Sequence, residues 1–420
     1  MDEPRTGTKK RLVVCCDGTW NRADADTVTN IEKIARTIES DPTRTGGVPQ
    51  QVLYLTGVGT AGYKTDRLLG GAFGFGLFAN VKTAYRWLAL NYEAGDEIFV
   101  FGFSRGAYTA RSLAGMIGRV GLLTGEALVD GRLGEACQRY QLREHPKPEW
   151  SPPEQFRKEF CHDEVPIQFL GVFDTVGALG VPGAVRRGHQ FHDVRLGSAV
   201  VTARQALAID EPRMKFEPCL WEEPVPPWED GRIRQVWFEG AHSDVGGGYG
   251  AKECGLSDTA LLWMAAEAQD KGLVLDLDLF ERQLKGSPLV RHNPSKPVYR
   301  FLDLAIRAKI AVKVADGGAF EGERRRLFRP ECAGIRLART TATRYDDAGL
   351  GYHPRNLHSY DTSTRHFDGV LEDTVVVPSE AYDALLARLR AGGQQVAGGG
   401  DSVPGPRVAT ESASEMTQPT

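Results

Sequence analysis

The sequence has no Cys-x-x-Cys pair, and its seven cysteines are an odd number. A disulfide framework is therefore not expected, and the chain reads as built for a reducing compartment. It has no apolar run near the roughly 18 residues needed to cross a bilayer. Residues 1–11 are polar and lead straight into a strand, without the apolar core of a signal peptide. The expected location is cytoplasmic, with any export by a signal-peptide-independent route. No charge of one sign dominates: the net charge is -4 and the pI about 6.2. Bulk charge thus offers nothing to nucleic acid. Nine histidines are too few and too scattered for a His-rich metal tract.

What is present is an ordinary globular composition, 41% hydrophobic and 25% charged over 420 residues. That length buries a large core, as one big domain with insertions or two modest ones. Five short apolar runs, 12–16, 52–55, 97–103, 167–173 and 234–238, each end in a turn rich in Gly, Asp, Ser or His. Apolar on both faces, they read as buried parallel strands. Cys15 and Cys16 fall in the first and read as small buried hydrophobes. Helical patterns at 29–39, 78–93, 107–120, 198–209 and 257–271 separate them or follow. The expected fold is α/β, a mostly parallel sheet flanked by helices, with helical insertions and a helical C-terminal part. The expected organisation is a flexible 1–10, a catalytic domain over 11–275 with cap insertions, and a C-terminal part over 276–391 packed on it. A disordered tail, 392–420, is rich in Gly, Ser, Thr and Pro. Stretches 186–193 and 224–231 read as loops.

Gly102-Phe103-Ser104-Arg105-Gly106 fits Gly-x-Ser-x-Gly between an apolar strand and a helix-forming segment. The pentapeptide alone is weak, but that context is what a nucleophile on a strained turn requires. The bland reading is a helix-capping serine beside packing glycines. A serine hydroxyl needs a base and a group to orient that base. Asp174 ends a later strand, and His242 follows the next within Gly240-Ala241-His242-Ser243-Asp244-Val245-Gly246-Gly247-Gly248-Tyr249. The order serine, acid, histidine suits such a site. Asp244 competes with Asp174, or else braces the His242 loop. The expected oxyanion donors are backbone N–H groups of Arg105 and of Gly18 or Thr19, with Asp17 holding their loop and 57–60 as second choice. The Gly-rich stretch 70–76 follows no strand and lacks a P-loop lysine. It reads as a loop feeding the helix at Phe78, with Phe73, Phe75 and Leu77 as candidates to line an acyl pocket.

Together, Val14-Cys15-Cys16-Asp17-Gly18-Thr19-Trp20-Asn21, 102–111, Gly171-Val172-Phe173-Asp174-Thr175-Val176-Gly177 and 240–249 resemble one family. It is the bacterial and fungal α/β-hydrolase group that includes type VI secretion phospholipase effectors, long known as a domain of unknown function. The resemblance covers about 11–271 and, loosely, 352–360. It implies an α/β-hydrolase-like fold, Ser104, Asp174 and His242 as the triad, and hydrolysis of carboxyl esters, with phospholipids or other lipid esters as substrates. It implies a serine esterase or lipase type of enzyme, phospholipase A-like chemistry included, with no cofactor and no metal. The expected partner is a small-molecule or lipid ester, not nucleic acid. The membrane is touched peripherally if at all, and secretion or immunity partners follow from the resemblance alone. Two rival readings stand beside it. One is a metal-dependent phosphoesterase that gathers Asp17, Asp174, His242 and Asp244 at one sheet edge. The other is a binding module that has kept the fold and lost the chemistry.

Overall fold

The computed structural model describes residues 9–18, 27–57, 72–142, 146–176, 195–213, 216–222, 231–294, 320–321, 324–329, 332–364, 367, 369–377 and 379–398. Their frame is an eight-stranded parallel sheet. It contains β1 (Arg11–Cys16), β2 (Gln50–Leu55), β3 (Glu97–Phe103), β4 (Ile167–Phe173), β5 (Ala203–Ala208) and β6 (Ile233–Phe238). A separate antiparallel pair, β7 (Phe320–Glu321) and β8 (Arg324–Arg325), precedes β9 (Ile335–Ala338) and β10 (Leu371–Glu372). The order across the main sheet is β10-β9-β6-β5-β4-β3-β1-β2.

Alternation along each strand sends side chains to two faces. From β1, Leu12, Val14 and Cys16 enter one core; Val13 and Cys15 enter the other. The first face is covered by α2 (Ala72–Asn91) and α3 (Arg105–Val120), with α4 (Gly125–Val129), α5 (Leu133–Gln141) and α6 (Pro153–Phe160). The second face receives α1 (Asn30–Thr37) and, after the short helix α7 (His242–Gly246), α8 (Gly255–Gln269) and α9 (Leu277–Gln283). Helix α10 (Arg339–Asp346) lies near β9 and α11 (Arg355–Thr364) near β8, and α12 (Glu380–Gly398) closes the described chain. A third apolar cluster joins Leu207, Trp237 and Leu337 to Tyr345, Tyr352 and Leu357.

Three sequence readings change. Residues 198–209 were expected to be helical, but 203–208 form β5, buried along its whole length. Its slot between β4 and β6 overrides the helix propensity of Ala203-Arg204-Gln205-Ala206-Leu207-Ala208. The run at 52–55 is an edge strand rather than one buried on both faces, and Val52 is exposed. Helix α2 starts at Ala72, so the expected loop before Phe78 is partly helical. The structure also adds what composition did not show: β9 and β10 of the C-terminal part extend the same sheet. All of 186–193 and 399–420, and all of 224–231 but Gly231, lie outside the described residues. No helix among the described residues is long and apolar enough to cross a membrane.

Because β1 leads outward to β2 while β3 lies on its other side, the sheet has a switch point between β1 and β3. A crevice opens at the carboxyl ends of strands at such a point. The second face carries a buried ion pair that ties α1 to α8, Lys33 Nζ to Asp258 Oδ1 at 2.5 Å. Removing one partner leaves the other charge buried and alone. Lys33→Met is expected to lower the free energy of urea unfolding by about 3–5 kcal/mol. A loss below about 1 kcal/mol would show that the α1–α8 seam does not depend on this pair.

Candidate functional site

Three strand ends meet at that edge. β3 runs through Phe103 into Ser104, whose backbone sits at φ 57 and ψ -120. For a residue with a Cβ this is a strained conformation. It lifts the side chain off the sheet and lets α3 begin at once with Arg105. The turn closes tightly because residue 106 is glycine. A Cβ there would lie 2.1 Å from the Cys16 carbonyl oxygen and 2.4 Å from that of Asp17. The start of α3 is thereby pressed onto the end of β1. Ser104 N–H donates to the Phe173 carbonyl at 3.0 Å, which ties the turn to β4.

β4 ends in Asp174, also at positive φ (38) and fully buried. Past β6, the chain turns through Gly240 and Ala241 into α7, which opens with His242. His242 Nδ1 lies 2.6 Å from Asp174 Oδ2, and its Nε2 lies 2.8 Å from Ser104 Oγ. With Asp174 ionised, the Nδ1 hydrogen is donated to it, and the Nε2 lone pair faces the serine hydroxyl. The ring packs against Phe103 (4.7 Å between centroids) and, edge-on, against Phe216 (4.9 Å). His242 N–H donates to Glu211 Oε2 at 3.2 Å. Gly246 sits against the Phe103 ring, where a Cβ would approach to 1.9 Å, so α7 can lie this close only with glycine there.

Burial alone would raise the Asp174 carboxyl. The Arg325 guanidinium and the His242 imidazole outweigh it and hold the group well below the usual carboxylate range. Arg325 is fully buried. Its Nη1 donates to Asp174 Oδ1 at 2.6 Å and its Nη2 to Oδ2 at 3.0 Å. Oδ1 also accepts from Ala208 N–H at 3.0 Å. Sequence reasoning missed Arg325, which is the middle residue of Arg324-Arg325-Arg326, 151 residues beyond its partner. Nothing local marks it.

The remaining candidates divide. Asp244 stands apart from the imidazole of His242. Its Oδ2 accepts from Ala241 N–H at 2.9 Å, and its Oδ1 lies 2.6 Å from His292 Nδ1. Asp17 is buried; its Oδ2 accepts from the Tyr54 hydroxyl at 2.5 Å and from Thr29 at 2.7 Å. Gly18 N–H was expected to face an oxyanion, but it donates to Asp17 Oδ1 at 2.5 Å. An aspartate side chain readily reaches the amide that follows it. Thr19, residues 58–60 and the side chains of Phe73 and Phe75 lie outside the described residues, whereas Leu77 is buried. Asp17, Asp174, His242 and Asp244 do not converge as a ligand set: Asp17 bonds Tyr54 and Thr29, Asp174 bonds Arg325 and His242, and Asp244 bonds His292. Among the described residues, no three His, Cys, Asp or Glu side chains are grouped to hold a metal ion.

With this geometry in hand, comparison with known proteins gives one family. A family model described as the type VI secretion phospholipase effector Tle1-like catalytic domain matches residues 10–267. An uncharacterized protein of Saccharomyces cerevisiae, YEL023C, is 32% identical over 244 residues, 52% of this chain and 34% of that protein. Two solved structures are also similar. One is an uncharacterized protein from Pseudomonas aeruginosa, with TM-score 0.41, 16% identity, and coverage of 92% of this chain and 63% of that one. The other is the Tle1 effector bound to the VgrG spike from the type 6 secretion system, with TM-score 0.34, 20% identity, and coverage of 59% and 52%. The chain thus spans less than two thirds of the length of each of these relatives.

The Asp174 carboxyl has a folded value below its ordinary one, so the stability it adds is complete above the unfolded value, about pH 4. It is lost only as the pH falls through the lower, folded value. Asp174→Asn leaves Arg325 buried without its counter-charge and is expected to destabilise by about 3–5 kcal/mol near neutrality. Urea titrations should show a gap to wild type that does not narrow from about pH 8 to about pH 5 and narrows only below about pH 4. A gap that already shrinks between pH 8 and 5 would contradict this assignment of charge.

Proposed function

The chain belongs to the family of type VI secretion Tle1-like phospholipase effector catalytic domains, and on that premise we propose that it is a serine esterase acting on carboxyl esters of lipids. The observation that carries the reading is the continuous relay Asp174–His242–Ser104, with steps of 2.6 and 2.8 Å, on a strained turn at the sheet's switch point.

In this proposal the Ser104 oxygen attacks the ester carbonyl carbon while His242 Nε2 takes the hydroxyl proton. Asp174 holds the ring by Nδ1 and stabilises the imidazolium. Negative charge builds on the former carbonyl oxygen. The Arg105 N–H, next after the nucleophile, and the positive end of α3 are the groups assigned to it. A second donor is assigned to the residues that follow β1, whose end packs against Gly106: Thr19, or Gly18 once it turns from Asp17. The carbonyl re-forms, the alcohol leaves with the proton from His242, and an acyl-Ser104 ester remains. Water attacks that ester while His242 takes its proton; the acid leaves as His242 returns the proton to the Ser104 oxygen. Phe103 and Phe216 against the ring strengthen each charge interaction by excluding water. On the same premise, the proposed way out of the cell is a type VI secretion spike.

The test is a panel of p-nitrophenyl esters of rising chain length and of phospholipid vesicles, run on wild type, Ser104→Ala and His242→Ala. Wild type is expected to hydrolyse both classes and to favour longer acyl chains. Each variant should lose on the order of 10³-fold or more in kcat with its fold intact. Undiminished hydrolysis by Ser104→Ala would refute the reading. Full activity on short soluble esters with none on lipid would leave the serine chemistry standing and remove the lipid assignment.

A further inference from the structure

We propose that Arg325, which lies beyond the family-matched segment 10–267, is a positioning residue of this site: it fixes the plane of the Asp174 carboxylate and moderates the negative charge that Asp174 presents to His242. The proposal rests on the reading of Ser104, His242 and Asp174 as a catalytic relay.

The contact is a two-pronged fork, one guanidinium nitrogen to each carboxylate oxygen, which sets an orientation as well as a charge. Each nitrogen is anchored a second time. Nη1 also donates to the Ala208 carbonyl at 2.8 Å, and Nη2 to the Phe216 carbonyl at 2.5 Å. These carbonyls belong to the end of β5 and to the segment whose ring lies on His242. The Arg325 main chain is held in turn. Its carbonyl accepts from Asn356 Nδ2 at 3.1 Å, and two residues on, the Leu327 carbonyl accepts from Trp237 Nε1 at 2.8 Å. One buried side chain thereby joins the ends of β4 and β5 and the aromatic wall to the C-terminal part.

Stability alone is a poor reason for such a pair. Replacing a buried ion pair by apolar groups is often neutral or favourable. Its place in the relay gives another. An unpaired aspartate would favour the imidazolium over the neutral ring, and only the neutral ring can accept the serine proton. A guanidinium on the far side of Asp174 offsets part of that pull. Among the described residues, the other charged or titratable groups near this centre include Glu211 and Arg213 on the segment after β5, Cys219 beyond it, and Asp244 on α7. Glu211 is forked by Arg213, and Asp244 is paired with His292. Helix α11 presents Asn356, which is uncharged.

If Arg325 is replaced by a neutral residue, either Asp174 stays ionised and favours the imidazolium, or it takes a proton near neutrality. Both outcomes move the acid limb of reactivity upward. The measurement is the second-order rate at which a fluorophosphonate inactivates the full chain through Ser104, followed against pH for wild type, Arg325→Gln and Arg325→Lys. For Arg325→Gln the midpoint should rise by about one pH unit and the plateau fall ~10-fold. Arg325→Lys keeps the charge but has a single prong; its midpoint should stay within about half a unit of wild type while its plateau falls. A wild-type midpoint in Arg325→Gln, at any plateau, overturns the proposal by making Arg325 merely structural. So does a Lys variant that shifts as far as Gln. If Arg325→Gln loses native circular dichroism, the Lys variant decides alone: a moved midpoint or an undiminished plateau overturns the proposal. A wild type that is not labelled at Ser104 refutes the relay, and this proposal falls with it.

Discussion

A carboxylate with no exposed surface has to be compensated inside the protein, and Asp174 is that carboxylate. It accepts four hydrogen bonds: two from Arg325, one from Ala208 N–H and one from the His242 imidazole. Those donors arrive from β5, from α7 and from β8, so the ionised carboxylate is the point at which otherwise distant segments agree on their positions. Its own backbone, at φ 38, is held there by Asp174 N–H on the Ala206 carbonyl and by this side-chain set. The orientation of His242, and hence the direction in which Nε2 faces Ser104, follows from that single arrangement.

The parallel sheet makes the convergence inexpensive in chain. Parallel strands all end at one edge, so residues at the ends of β3, β4 and β6 become neighbours without any long excursion. The close packing of the turns does the rest. Gly106 lets α3 press on β1, and Gly246 lets α7 press on the Phe103 ring. The α7 loop is further fastened to α1, where Asn30 Nδ2 donates to the Val245 and Ser257 carbonyls at 2.9 Å each. Asp17, through Tyr54 and Thr29, joins the end of β1 to β2 and to the residue that caps α1. The positive φ of Ser104 and Asp174 is thus held within close packing and hydrogen bonds from several elements.

How much of this could be read from the sequence depended on whether the signal was local. Ser104 was legible because its glycines, strand and helix are contiguous. Asp174 and His242 were legible because each ends an apolar run in a Gly-containing turn. β5 was not, since its alanines and leucine carry a helical pattern and only their slot between β4 and β6 makes them a strand. Arg325 was invisible for the same kind of reason. An arginine among arginines has no pattern, and its meaning arises only when residues 151 positions apart are brought together. The direction of Gly18 N–H was equally out of reach: sequence places a flexible turn there, while the side chain of Asp17 decides where the amide points.

The central claim is that the hydroxyl at 104 is the group made nucleophilic by this buried relay. Peptide mapping by mass spectrometry, after complete inactivation with a fluorophosphonate, addresses it directly. The account predicts a single phosphonyl adduct on the peptide that carries Ser104, formed in proportion to the activity lost and absent when the protein is unfolded beforehand. Complete inactivation with Ser104 unmodified, or an adduct on another residue that tracks the loss, would contradict it.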